Sequence, residues 1–197
     1  LQRVARVYGM MRLAGQLNSY NERLIASLDI VRNETDETLS NTGDVIPTVY
    51  NGDRIALSFV NKSYSESDVS LFFVGSDYSI VQIYPAIGQS ARVMPNGKLN
   101  QPLGSITTDT VGREHLVLVA NEVDDNTAVS DNSFLQQPGL SSELANQVRQ
   151  RSVSTSPIQQ LWESSVQSGQ SEISTRSFND RERKTGTLKV FSWQTSL

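Results

Sequence analysis

Apolar and polar residues alternate along the first part of this chain with two different periods, and the periods predict its elements. At the N-terminus Val4, Val7, Tyr8, Met11 and Ala14 recur at spacings of three and four, which places them on one stripe of a helix over Leu1 to Leu17. Arg3, Arg6, Arg12 and Gln16 fall largely off that stripe. The helix lacks the Lys-rich face and Trp or Phe anchors of an interfacial helix, so it is expected to pack on the protein's own sheet or on a neighbouring domain. From Leu24 the period drops to two, with Leu24, Ala26, Leu28 and Ile30 on one side of a strand that reaches Arg32.

The polar run NETDETLSNTGD then reads as a loop, and Val45 to Tyr50 as a short strand that Pro47 confines to a sheet edge. Asn51-Gly52 supplies a turn, because both residues tolerate positive φ. Beyond it Ile55, Leu57 and Phe59 point one way and Arg54, Ala56 and Ser58 the other. Val69 to Val74 and Ser79 to Tyr84 are two more strands, joined by the hairpin-type connection GSDY. Pro95 to Gly97 is a further turn, and the unbroken apolar run LVLVA, Leu116 to Ala120, fits a strand buried on both faces. Core positions expected from this pattern are Leu57, Phe59, Leu71, Phe73, Ile83, Leu118 and Val190.

From Val123 to Thr185 the composition shifts to Ser, Gln, Asn and Asp, which predicts a polar insertion or long loop within a single domain spanning 1–197. Inside it Ser156-Pro157 is a good helix start, Ile158, Leu161, Trp162 and Val166 share a face, and Gly169 can stop the helix. A weaker helix pattern covers Ser142 to Arg151. In the closing GTLKVFSWQTSL, Lys189, Phe191 and Trp193 alternate against Leu188 and Val190, so the chain is expected to return to the sheet. Short strands at this spacing predict a mainly β fold, an antiparallel immunoglobulin-like sandwich with an N-terminal helix and one or two short helices in the late insertion.

Composition narrows the function classes. With 17 basic and 21 acidic residues and a formal charge of -4, the chain lacks the basic stripe that nucleic acid requires. No apolar run approaches the roughly 20 residues needed to cross a bilayer, and the N-terminus lacks the pattern of a secretory signal. A partner that is neither nucleic acid nor membrane is therefore expected. The absence of cysteine excludes disulfides, thiolate metal sites and a cysteine nucleophile, and it fits a cytoplasmic setting.

Catalytic vocabulary is sparse. His115 is the single histidine, which excludes a multi-histidine metal site. Glu114 beside it would project from the opposite face of a strand, so these neighbours are not a dyad. The carboxylates of EVDDN, Glu122 to Asn126, lack the alternating oxygen ligands of an EF-hand loop and read as a solvated turn. Asn33-Glu34-Thr35 and Asn61-Lys62-Ser63 match the glycosylation sequon, which matters only in a protein secreted by a eukaryote. Walker, Rossmann and nucleophile-elbow glycine patterns are absent. No catalytic, cofactor-binding or metal residue is assigned, and no cofactor is expected.

The order LQRVARVYGMMRL, NGDRIALSFVNKS, SLFFVGSDYSIVQIYP, GREHLVLVANE and LKVFSW resembles a bacterial domain of unknown function found C-terminal to caspase-like peptidase domains. Gly52-Asp53, Asn61, the strand pair ending at Tyr84-Pro85, and Gly112 ahead of LVLVA carry the resemblance, over roughly Leu1 to Glu122 and more weakly Gly186 to Leu197. The residues have structural explanations of their own: turn formation, backbone capping and strand termination.

The resemblance implies a non-catalytic accessory or regulatory domain that acts by contact with a caspase-like peptidase domain, in cis or as a separate chain. An alternative is a cell-surface or periplasmic immunoglobulin-like adhesion module, and an enzyme in its own right ranks third. Because caspase-like enzymes of this kind cut after basic residues, the resemblance also makes Arg151 and the cluster Arg181, Arg183 and Lys184 candidate processing sites in the polar interval.

Overall fold

The computed structural model describes residues 2–17, 23–41, 45–107, 111–123, 128–140 and 186–196. Apart from Leu140, these belong to a compact unit made of Leu1–Gly139 and Lys184–Leu197. Its elements, in chain order, are helix α1 (Gln2–Leu17) and strands β1 (Leu24–Val31), β2 (Thr38–Asn41), β3 (Thr48–Val49), β4 (Arg54–Asn61), β5 (Glu66–Val74), β6 (Ile80–Tyr84), β7 (Arg92–Val93), β8 (Lys98–Ser105), β9 (Gly112–Val123) and β10 (Gly186–Thr195).

The strands form two sheets. The first has the order β2-β1-β4-β8, and the second β3-β10-β9-β5-β6 with β7 also paired to β5. All ladders are antiparallel except β3 with β10, which is parallel and joins Thr48 to Gln194 and Val49 to Thr195. The fold is thus a mainly β sandwich with an N-terminal helix.

Strict alternation in β1 and β4 puts Leu24, Ala26, Leu28 and Ile30, and Ile55, Leu57 and Phe59, on the face that meets the second sheet. Val69 and Leu71 of β5, Leu116, Leu118 and Ala120 of β9, and Phe191 and Trp193 of β10 complete that core. The opposite face of the second sheet is equally apolar, because Phe72, Val74, Val117 and Leu188 pack with Val7, Met10 and Ala14 of α1. Strands β5, β9 and β10 therefore occupy the middle of three layers. This is why their sequences read as near-continuous apolar runs.

The helix does turn a face to the protein's own sheet, but the stripe is rotated from the expected one. Met10 is buried and Tyr8 is 47% exposed. Of the expected core residues, Leu57, Phe59, Leu71 and Leu118 are fully buried, while Phe73, Ile83 and Val190 are partly buried against the two clusters. Phe72 is also fully buried, since β5 faces protein on both sides.

Three strands escaped the sequence pattern, among them the two-residue β7, which pairs with Ser67 and Asp68 of β5. The run read as a loop after Arg32 contains β2, whose burial is confined to Asn41. Strand β8, KLNQPLGS, is an edge strand that buries no residue completely, so its pattern carries little apolar signal. Early in the polar interval, residues 128–139 lie on the α1 side of the second sheet, with a turn of 3-10 helix at Ser133–Leu135 and a bridge from Gln137 to Ile80. The helices expected over Ser142–Arg151 and from Ser156 to Gly169 lie outside the described residues.

Candidate functional site

Buried polar side chains show first which chemistry the fold has already committed. Asp53 follows Gly52, whose φ of 87° only glycine adopts without strain, and closes the turn into β4. Its carboxylate accepts from the Arg32 guanidinium and from the backbone N–H groups of Asn33 (3.1 Å) and Tyr50 (3.0 Å). Burial alone would raise this carboxyl, but those three donors overcome it and hold it below the usual range. Arg32 also donates to the Thr48 carbonyl, so one ion pair ties β1, β3 and β4 together.

Asp68 is a second clip. Burial pushes its carboxyl up, and the Arg92 guanidinium with the Ser130 backbone N–H (2.8 Å) more than reverses that. Arg92 also reaches Glu66 at 3.1 Å. On the core side of β9, Glu114 Oε2 accepts from Trp193 Nε1 (3.0 Å) and Thr195 Oγ1 (2.9 Å). All three carboxylates serve as internal braces.

His115 and Ser192, directly opposed in the β9–β10 ladder, project to the α1 side with Nδ1 and Oγ 2.7 Å apart. A hydroxyl on an imidazole is the contact between a nucleophile and its base. Here Glu114 faces the other way, as the strand alternation requires, and braces Trp193 instead of orienting the ring. Burial, reinforced by the Arg113 charge, pushes the imidazole down to about 4, which makes it a weak proton acceptor at neutral pH. Among the described residues no group of three His, Cys, Asp or Glu side chains is placed to hold a metal ion. Among them, too, no helix is long and apolar enough to cross a membrane.

The surface offers a different kind of site. Asn61, fully buried at the end of β4, donates through Nδ2 to the carbonyls of Ser65 (2.9 Å), Val93 (3.1 Å) and Met94 (3.3 Å). Its Oδ1 accepts from the Ser63 backbone N–H and hydroxyl. One amide therefore fixes both the β4–β5 and the β7–β8 connections. It also explains why this sequon is structural, since the side chain is inaccessible.

Each of the two connections presents one large exposed side chain, Tyr64 (88% exposed) on the first and Met94 (58% exposed) on the second. The Lys62 N–H donates to the Arg23 carbonyl at 2.7 Å, and the Arg23 guanidinium lies 5.1 Å from the Tyr64 ring centroid. Tyr, Met and Arg are the residue types enriched in the centres of protein interfaces. The sequence reading passed over this patch. Its only local signal is an aromatic residue in the otherwise polar stretch NKSYSES, and the link between the two connections depends on Asn61.

The candidate processing residues Arg151, Arg181, Arg183 and Lys184 lie outside the described residues, as does Asp124 to Asn126 of the acidic run. No family model, no curated protein and no solved structure matches this chain.

Proposed function

We propose that this chain is a non-catalytic accessory domain that works by protein contact, and that its partner is a caspase-like peptidase domain in the cytoplasm. The observation that carries the contact reading is the Arg23–Tyr64–Met94 patch. The buried Asn61 holds the backbone of the two connections, at the Ser65 and Met94 carbonyls, while the Tyr64 and Met94 side chains are turned outward. A backbone already held by a buried polar hub has less loop entropy to lose on binding, which favours contact over an idle surface.

The absence of catalysis is supported by the braced carboxylates and by the lone, weakly basic imidazole of the His115–Ser192 pair. The choice of partner rests on the resemblance carried by Gly52-Asp53, Asn61, Tyr84-Pro85 and Gly112. The test is co-purification of the full chain with the caspase-like peptidase domain encoded in the same gene or operon. Retention of the two as a complex is expected, together with no hydrolysis of peptide substrates by this chain alone. Failure to form the complex, or peptidase activity abolished by Ser192→Ala, would overturn the reading.

A further inference from the structure

The outer face of the first sheet carries a carboxylate whose hydrogen-bond partners are all hydroxyls. Asp29 lies in β1 between β2 and β4, directly opposite Ser40 on one side and Ala56 on the other. Ser40 Oγ donates to Oδ1 at 2.7 Å and Ser58 Oγ donates to Oδ2 at 2.8 Å, while Ser27 Oγ stands 3.5 Å from Oδ1. Strand alternation turns these side chains away from the core between the sheets, and each keeps some exposure to solvent.

The supply of protons decides what this cluster can bind. A carboxylate only accepts, so Ser40 and Ser58 each commit their single hydroxyl hydrogen to Asp29. Their oxygens, and the carboxylate lone pairs that the serines leave free, then offer acceptors and no donor. A phosphate or carboxylate meets only lone pairs there, and a saccharide hydroxyl can donate but finds no donor for its own oxygen. A guanidinium brings five N–H donors in a planar fork and no acceptor, so every group it presents is answered.

We propose that this face docks an arginine side chain of a partner protein, with the guanidinium forked on the Asp29 carboxylate and its outer N–H groups on the Ser40 and Ser58 oxygens. Charge supports the same occupant. Arg54, opposite Val31 on this face, is engaged with Asp36 at 3.1 Å, and among the described residues the negative charge of Asp29 is met by hydroxyls alone. Room is provided as well, because Ser27, Ser40, Ala56 and Ser58 around the carboxylate are all small. Val31, two residues along the strand and so roughly 7 Å from Asp29, offers apolar contact to the methylene stem. A lysine ammonium can reach the carboxylate, but as a compact point charge it does not span both flanking serines. The inference does not depend on the Tyr64 surface.

Two-dimensional NMR of the full chain tests the proposal, with the capped tripeptide valine–arginine–valine as the probe. The amide signals of Ser27, Asp29, Ser40, Ala56 and Ser58 should shift together and saturate at a peptide concentration on the order of 1 mM. Citrulline in place of the arginine keeps the outline of the side chain without its charge and should abolish the shifts, and lysine should bind more weakly by about fivefold or more. Asp29→Asn, which keeps the size of the side chain, should weaken binding of the arginine peptide by about tenfold or more. Ser40→Ala, which leaves the carboxylate in place, should weaken it by about twofold to fivefold. If Asp29→Asn does not fold, the three peptides on the wild-type chain decide the matter. An absence of shifts at these five residues, equal shifts with citrulline, a lysine peptide that binds as tightly as the arginine one, or unchanged affinity in Asp29→Asn would each overturn the proposal.

Discussion

Trp193 and Glu114 sit directly across the β9–β10 ladder and share a hydrogen bond of 3.0 Å, from the indole Nε1 to a carboxylate oxygen, inside the core between the sheets. The Thr195 hydroxyl donates to the same oxygen. Glu114→Ala leaves two buried donors without this acceptor, so it is expected to cost about 1–3 kcal/mol for each donor left unpaired. Urea unfolding followed by Trp193 fluorescence measures it. A loss near zero would mean that water reaches the indole.

Phe59 is fully exposed to protein and not at all to solvent, in the middle of the inter-sheet core. Phe59→Ala should destabilise the fold by about 3–5 kcal/mol, the cost of lost burial plus a cavity. The check is the midpoint of a denaturant titration at unchanged slope. An effect below about 1 kcal/mol would contradict the facing of β4.

Two pH windows follow from the titratable groups. His115 is held at about 4 in the folded state against an unfolded value of 6.5, so the unfolded chain binds the proton first. Stability contributed by the neutral imidazole is complete above the unfolded value. It declines as pH falls from about 6.5 towards 4. Asp53 and Asp68 are depressed, so their contribution is present above the ordinary carboxylate range and is lost only at lower pH, through their folded values. Unfolding measured from pH 7 to pH 3 should show both declines, and His115→Gln should remove the first and leave the second. An unchanged profile in that variant would contradict the assignment.

Asn61→Ala removes the amide that holds the carbonyls of Ser65, Val93 and Met94. It should cost about 2–4 kcal/mol in stability, summed over the buried groups left unpaired, and should mobilise Tyr64 and Met94 together. Correlated line broadening of both residues in NMR spectra checks the coupling. Broadening of one alone would contradict a shared hub.

The parts of the fold legible in the sequence are those where one physical requirement dominates. Leu24 to Ile30 and Ile55 to Phe59 bury a single face, so their period of two is clean. The run Leu116 to Ala120 reads as doubly buried because α1 covers one side and the first sheet the other. Strand β2 was illegible because TLSN pairs through its backbone and buries only Asn41. Pairing there is dictated by β1, not by its own side chains. In α1 the helical period fits Val4, Val7, Met10 and Ala14 as well as a stripe through Tyr8, and the buried face is the first of these.

The candidate site was less legible than the fold. The separation of Glu114 from His115 follows from strand alternation alone. The His115–Ser192 pair required the register of a strand 77 positions away. The surface of Arg23, Tyr64 and Met94 draws on three connections, and the buried amide of Asn61 ties the backbones of the last two, at the Ser65 and Met94 carbonyls.

Calorimetric titration of the caspase-like peptidase domain with this chain, wild type against Tyr64→Ala, tests the central claim most directly. The wild-type chain should bind, and the variant should bind more weakly by about tenfold or more with its melting temperature unchanged, as expected for an exposed aromatic at the centre of a contact. No heat of binding from the wild-type chain, or equal affinity of the two, would contradict it.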